Sequence, residues 1–527
     1  MNVRALEGLA VADFRERVRR PAFVAILLAA VALGYAAVPP ASANYSLLSV
    51  GGYRGEYDST YVGMILALMG GLWLSFAGFY VVKNAVGRDD STGVGQILAA
   101  TPMTKVAYTL GKFLSNLMVL VALVAILALL APVMQLLRGE APIIHPFDTL
   151  LPFLLLPIPM LAITAAAAVL FETLRPLRGG LGNVVWFFGW LLFVGLAFAN
   201  SAFDPLGFGA VSRTMRADLL AQHPRAPDPT LSAGLIVQGR PLKTFDWSGL
   251  EVTPDLLAGR LALLALALGL VLLAALCFTR FDPSRAKPPV AAVTPGYSAS
   301  LEVASATPTT SIFASPASRI VPAERGRAFA GLIAGEARIL LRGVPGWWWL
   351  GSLALILVSL VVPADRVAFP MLPLAWVWPV LIWSRLGTQQ YDHDVNLLVG
   401  SCPNHRRRLV AEWLAGLSLA AFAGLGALVR MGVASDWAGV AAWFGGLVFI
   451  PSLALALGVL GRSNRLFQAV YLMLWYLVMN STAALDYMGA VREGGYPAGP
   501  GPSIVAGVAA AMLGAAFVVN ELRHVGR

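Results

Sequence analysis

Few side chains in this 527-residue sequence stand where they could do chemistry. His393 lies between Asp392 and Asp394, a spacing able to hold a metal ion, although a solvated helix start accounts for the three residues more simply. The remaining histidines (His145, His223, His405, His524) are scattered over loops and the tail. The stretch "GGLGN" at 179–183 has the glycines of a phosphate-binding turn, but it lacks the lysine and the Ser or Thr that opens the following helix. A full phosphate loop, H-E-x-x-H and G-x-S-x-G are all absent. Cys277 and Cys402 have no metal-ligand spacing around them and fall at expected cytoplasmic positions, where a structural disulfide is not expected. Glu172 and Glu412 stand at the ends of apolar runs, where a carboxylate can anchor a network between helices or simply sit at an interface. The chain is expected to catalyse nothing by itself and to hold no cofactor or metal.

What remains is concentrated in one polar segment, "GRDDSTGVGQILAATPMTK" (87–105), set between two long apolar runs. Val94, Ile97, Leu98 and Thr101 recur there at i, i+3, i+4 and i+7, one face of a short helix. Ser91 and Thr92 can cap that helix and Pro102 ends it. A second segment, "GTQQYDHDVNLLVGSCPNHRRR" (387–408), aligns with the first without a gap, Pro403 opposite Pro102. Val395, Leu398, Val399 and Cys402 repeat the spacing, with Asp392 and Asp394 as caps. A single surface helix of this kind fits lipid headgroups as well as a partner. Two of them at equivalent places favour a partner that offers two matching sockets.

The elements that must carry these segments follow from composition. Hydrophobic residues make up 58% of the chain and charged residues 13%, with mean hydropathy +0.73, far from soluble averages. Apolar stretches able to cross ~30 Å of hydrocarbon as helices recur at 21–38, 61–82, 113–134, 150–171, 183–200, 256–279, 347–363, 367–384, 409–429, 438–460, 467–484 and 503–520. Strand alternation is not evident, so a membrane barrel is excluded. The expected fold class is all-α, a polytopic integral membrane protein of about twelve transmembrane helices.

Residues 281–325, rich in Pro, Ala, Ser and Thr and without helical period, read as a flexible cytoplasmic linker. They divide the chain into 1–280 and 326–527, expected to be two six-helix repeats. Each opens with a partly amphipathic basic helix, in the first with Leu6, Leu9, Val11, Phe14 and Val18 toward the membrane. Short basic loops, "RPLRGG" and "GRSNR", follow the fourth span of each.

The net charge of +10 does not call for nucleic acid, because the cations keep to alternate loops. Arg15, Arg17, Arg19 and Arg20, then Lys83, Arg88, Lys105 and Lys112, then Arg175 and Arg178, Arg280, Arg285 and Lys287, and Arg406, Arg407 and Arg408 share one parity. Residues 201–255 balance five basic against six acidic residues. This positive-inside pattern puts both termini in the cytoplasm and 201–254 outside, as a cap or ordered loop, in a plasma or inner membrane. "ASAN" at 41–44 imitates a secretory cleavage site. Glu7, Asp13, Glu16 and the charge parity favour an uncleaved first span instead. Trp347, Trp348 and Trp349 read as an interfacial belt.

Residues 87–117, "GRDDSTGVGQILAATPMTKVAYTLGKFLSNL", resemble the cytoplasmic loop of type-2 ATP-binding cassette (ABC) exporter permeases, the type V exporter kind. The residues that carry the resemblance are Asp89, Asp90, Thr92, Gly93, Ile97, Leu98, Thr101, Pro102, Gly111 and Lys112. In the second segment His393-Asp394 replaces Thr-Gly, Cys402-Pro403 replaces Thr-Pro, and the Gly-Lys is missing. The resemblance implies that each loop forms a coupling helix seated in a groove of a cytoplasmic ABC ATPase. Two ATPase copies would carry the ATP and Mg, and two permease units would be fused in one chain. It also implies an exporter of a substrate the sequence does not identify. The expected coupling residues are Val94, Ile97, Leu98, Thr101 and Pro102, with Val395, Leu398, Val399 and Pro403 in the second loop. The alternative is a secondary transporter of the major-facilitator kind, which also has twelve spans and a central linker. Such carriers need ionisable groups inside their spans, and the central span segments contain none, only polar residues such as Asn116 and Asn480.

Overall fold

Pro21, Pro146, Pro157, Pro254 and Pro502 each open an apolar helix, where a missing N–H leaves no bond unmade and a fixed φ favours the first turn. Asp58, Thr104 and Asp436 cap three others by accepting the N–H of Tyr61, Ala107 and Gly439, and Thr253 caps the Pro254 helix by accepting that of Leu256. The computed structural model describes residues 3–43, 45–198, 204–226, 230–237, 242–279, 328–392 and 405–525. The linker 281–325 lies outside the described residues, as do His393, Asp394, Val395, Leu398, Val399, Cys402 and Pro403. The chain divides into two units, one made of Met1–Phe281 with Gln468–Leu472, the other of Asp282–Phe467 with Met473–Arg527.

The first unit holds α1 (Val3–Val18), α2 (Pro21–Ala37), α3 (Ser59–Val82), α4 (Ala85–Ser91), α5 (Val94–Ala100), α6 (Lys105–Arg138), α7 (Pro146–Leu155), α8 (Pro157–Thr173), α9 (Gly180–Phe198), α10 (Phe208–Gln222) and α11 (Pro254–Cys277). Among the described residues of the chain, seven helices are long and apolar enough to cross a membrane, and eight if the bent pair Arg406–Ala423 and Leu425–Val433 counts as one. This is a helical, membrane-embedded chain. The expected segments 21–38, 347–363 and 467–484 hold helices of only 16 or 17 residues, Pro21–Ala37, Gly346–Val361 and Asn464–Met479. Pro370, Pro373 and Pro379 break the expected segment 367–384 into Val367–Met371, Leu372–Val377 and Val380–Trp383.

A small sheet departs from the all-helical expectation. β1 (Tyr45–Val50) turns through Gly51 and Gly52, both at positive φ, into β2 (Tyr53–Gly55). β3 (Leu231–Val237) pairs antiparallel with β1, and β4 (Lys243–Phe245) runs parallel to β2, giving the order β3-β1-β2-β4. The described part of 201–254 is therefore an ordered cap built jointly with the first interhelical loop. Trp247 is buried in it and donates to the Thr214 hydroxyl at 3.2 Å.

In the second unit α12 (Ala328–Leu340) packs on the helix His405–Ala423. That helix bends by 54° into Leu425–Val433. On one face its Gly416, Ala420 and Gly424 carbonyls accept the indole N–H of Trp383, Trp376 and Trp443 at 3.0–3.1 Å. A side chain at Gly424 would strike two of those rings, so the bend is keyed by tryptophan. Trp347 and Trp349 are exposed as a belt requires, whereas Trp348 is buried, stacked on Trp378.

Candidate functional site

The loop from α3 to α6 is held by charges that the sequence places far apart. Asn84 enters α4 in the left-handed region, and the Glu172 carboxylate, at the end of α8, accepts the backbone N–H of Asn84, Ala85, Val86 and Gly87. The last three bonds measure 3.0, 2.7 and 2.9 Å. The first four N–H groups of a helix have no partner within it, and a carboxylate there also meets the positive end of the helix dipole. Glu172 is thus an N-cap supplied by another helix, and the network reading of this residue holds. Beside it the buried Lys83 ammonium donates to the Leu177 and Gly179 carbonyls and to Asn183 Oδ1 at 2.7–3.1 Å. That satisfies the "GGLGN" turn with protein groups.

Ser91 and Thr92 do not cap α5 as expected. Their hydroxyls donate to the Arg88 carbonyl at 3.0 and 2.9 Å and close the end of α4. Unpaired carbonyls there are nearer than the α5 amides, and local back-bonding satisfies them first. Gly93, at φ +75°, then reverses the chain into α5, which has no side-chain cap. Thr101 donates from its hydroxyl to the Leu98 carbonyl at 2.7 Å, Pro102 follows in an exposed turn, and Thr104 opens α6.

Around this loop lies a buried charge cluster. Lys112 Nζ, on α6, is 2.7 Å from Asp89 Oδ2 and 3.3 Å from Asp13 Oδ1. The Tyr108 hydroxyl donates to Asp89 at 2.8 Å, and the Ser115 hydroxyl to Asp13 at 2.8 Å. Arg17 also meets Asp13, at 3.1 Å, and Arg88 bridges Asp13 and Glu16. Burial would raise the Asp13 carboxyl, but Arg17, Lys112 and Arg88, with the Ser115 hydroxyl, outweigh it and hold it below the ordinary range. Gly111 lets α1 approach, since a side chain there would meet Leu9 at 2.8 Å. The protein-facing side of α1 is therefore Leu6, Ala10 and Asp13, while Val11, Phe14 and Val18 of the expected membrane stripe are half-buried.

The apolar face of α5 divides in two. Ile97 is 69% exposed and Val94 43%. Leu98 instead packs against Val86, Tyr108 and Phe278, with Leu9 and Met103 beside it, and Tyr108 stacks on Phe278 at 4.8 Å. Leu98 therefore anchors α5 to its own unit, a helix of seven residues having two turns to share between fixing and display.

In the second unit the described neighbourhood of the other loop is sparser. Arg408 meets Glu336 of α12 at 2.8 Å, and Glu412 accepts the Gly387 N–H at 2.6 Å. Among the described residues no group of His, Cys, Asp and Glu is placed to hold a metal ion. No family model, no curated protein and no solved structure matches this chain.

Proposed function

We propose that the chain is the membrane permease of an ABC exporter, with two six-helix halves in one polypeptide and both termini cytoplasmic. ATP is hydrolysed by separate ATPase subunits, one docked on each loop. The observation that carries this reading is the mounting of α5. A two-turn helix is fixed from behind by Leu98, by the Asp89–Lys112 pair and through α4 by Glu172, yet it presents Ile97 and Val94 outward. A helix that merely rested on headgroups would need no buried ion pairs behind it. Such a mounting suits a helix that must be pushed without yielding, as nucleotide-driven closure of an ATPase pair would require. The second loop, with Val395, Leu398, Val399 and Pro403, takes the same role in this reading. The cargo is an unidentified substrate that crosses the bilayer.

Burying Ile97 and Val94 in a partner groove would contribute roughly 1.5–3 kcal/mol each before ordering costs. Val94→Asp with Ile97→Asp is expected to abolish co-purification of the ATPase in mild detergent and to stop transport, with melting temperature unchanged. Wild-type co-purification and transport by that variant would leave α5 as a headgroup-resting helix. Leu98→Asp is a poorer probe, because it lesions the packing beneath α5. The purified chain alone is expected to hydrolyse no ATP.

A further inference from the structure

We propose that α3 and α6, with the loop between them, form one lever clamped at both ends, which carries a displacement of α4–α5 to the four-stranded sheet. The proposal rests on α4–α5 being where a partner pushes. With 34 residues, α6 reaches roughly 50 Å at 1.5 Å per residue, long enough to join the charged end to the sheet end directly.

At the charged end the clamp is Asp89, held by Lys112 and Tyr108. At the sheet end it is Glu140, just past α6. Both Glu140 oxygens accept the buried Arg54 guanidinium of β2 at 2.7 and 2.8 Å, and one also accepts the Tyr57 N–H at 2.9 Å. The Glu140 N–H returns to the Tyr57 carbonyl at 3.0 Å. One turn inward, Ser59 at the start of α3 donates to Gln135 of α6 at 2.9 Å and accepts the His145 N–H at 2.8 Å. Between the clamps the helices touch closely: a side chain at Gly70 or Gly78 would meet Leu127 or Leu120 of α6 at 2.5–2.6 Å. Bidentate ion pairs fix orientation as well as distance, and close-packed interiors transmit strain. The Tyr61 hydroxyl, on α3, donates to the Leu48 carbonyl at 2.6 Å and ties β1 to the same lever.

Hydrogen exchange measured by mass spectrometry on the full chain in nanodiscs, without any partner, tests this. Glu140→Gln is expected to raise exchange across 85–100 at the far end, and Lys112→Met to raise it in 45–50 and 231–237. Each rise should be roughly fivefold or more, and linkage requires that both occur. Arg260→Gln is the control. It removes bonds from α11 to the Asp204 and Pro205 carbonyls of the cap, off the lever, and should loosen α10 while leaving 85–100 unchanged. If Lys112→Met also raises exchange in α8, the double variant Asp89→Asn with Lys112→Met decides, since it removes the Asp89 clamp without leaving that carboxylate unpaired. A rise in 45–50 and 231–237 with α8 at the wild-type level supports the lever, and a rise there only together with α8 overturns it. Exchange that rises only at the substituted end overturns the lever, and so does an Arg260→Gln effect on 85–100 equal to that of Glu140→Gln. Neither outcome bears on ATPase co-purification, so the lever and the coupling reading fail separately.

Discussion

Each unit opens with a helix that buries an acid against a cation on the helix beyond its polar loop. Asp13 of α1 meets Lys112 of α6, and Glu336 of α12 meets Arg408 of His405–Ala423. The difference lies in what the loop adds. In the first unit Arg88 and Asp89 join the cluster, so that three segments share interlocked charges. In the second, loop residues 387–391 bring no charged side chain to the Glu336–Arg408 pair, and Arg408 is partly exposed. A helix and a loop cross-linked through a buried cation behave as one body; a single pair, however well buried its acid, only positions two helices. That distinction assigns the stiffer mount to the loop that shows its apolar tip.

The largest expected effect comes from removing the shared cation. Lys112 has 2% of its side chain exposed and Asp89 6%. Lys112→Met leaves two buried carboxylates without their common partner, which should cost about 3–5 kcal/mol. Arg408→Met leaves one buried carboxylate, Glu336, without this contact, but Arg408 is itself 22% exposed, so the loss should be smaller, about 1–3 kcal/mol. Thermal melting in nanodiscs, read beside wild type, compares the two. Equal losses would erase the contrast between the units.

A smaller effect separates the two capping glutamates. Glu172→Gln retains one acceptor oxygen but loses the charge that four amides share, a loss of about 2 kcal/mol. It should appear as faster hydrogen exchange confined to 84–91. Glu412 accepts one described amide, Gly387, so Glu412→Gln should change exchange at 387–389 less. A larger response there than at 84–91 would reverse the ranking.

The residue types in this site were legible in the sequence, and their partners were not. Asp89, Gly111 and Lys112 stood out in the loop segment, yet nothing in their spacing pairs Asp89 with Lys112, because a helical hairpin brings them together across a turn. Asp13 read only as an acid in an N-terminal stretch, since its partners lie on α4 and α6. The i, i+3, i+4 face of α5 was readable, but not that Leu98 turns inward, which depends on Phe278 at the end of α11. In the sheet, Gly51-Gly52 between "YSLLSV" and "YRG" was a local hairpin signal. The pairing of β1 with β3, far along the chain, had no local signature. Pro370, Pro373 and Pro379 are the signal in the sequence that could have broken the span 367–384, since each removes a helix N–H.

The smallest expected effect is acid dependence, and it sharpens the comparison at the level of one carboxyl. Asp13 is held below its ordinary value of 3.8 in the folded chain. A carboxyl with a lowered folded pKa binds more protons when unfolded, so its contribution is fully present above the unfolded value. It is then lost as pH falls through the folded one. Stability from Asp13 should therefore be flat above about pH 5 and decline progressively as pH falls through 3.8 toward the lower folded value. Other carboxylates titrate in the same range, so the quantity to measure is the difference between wild type and Asp13→Asn. That difference in melting temperature should be constant from pH 7 to about pH 5 and should narrow toward zero as the pH drops further. Exchange in α1 should follow the same curve, because Asp13 is the acid through which α1 meets Arg88 and Lys112. A difference that widens on acidification would mean that burial, not the three cations, governs Asp13, and the first unit's claim to a tighter charge lock would fall.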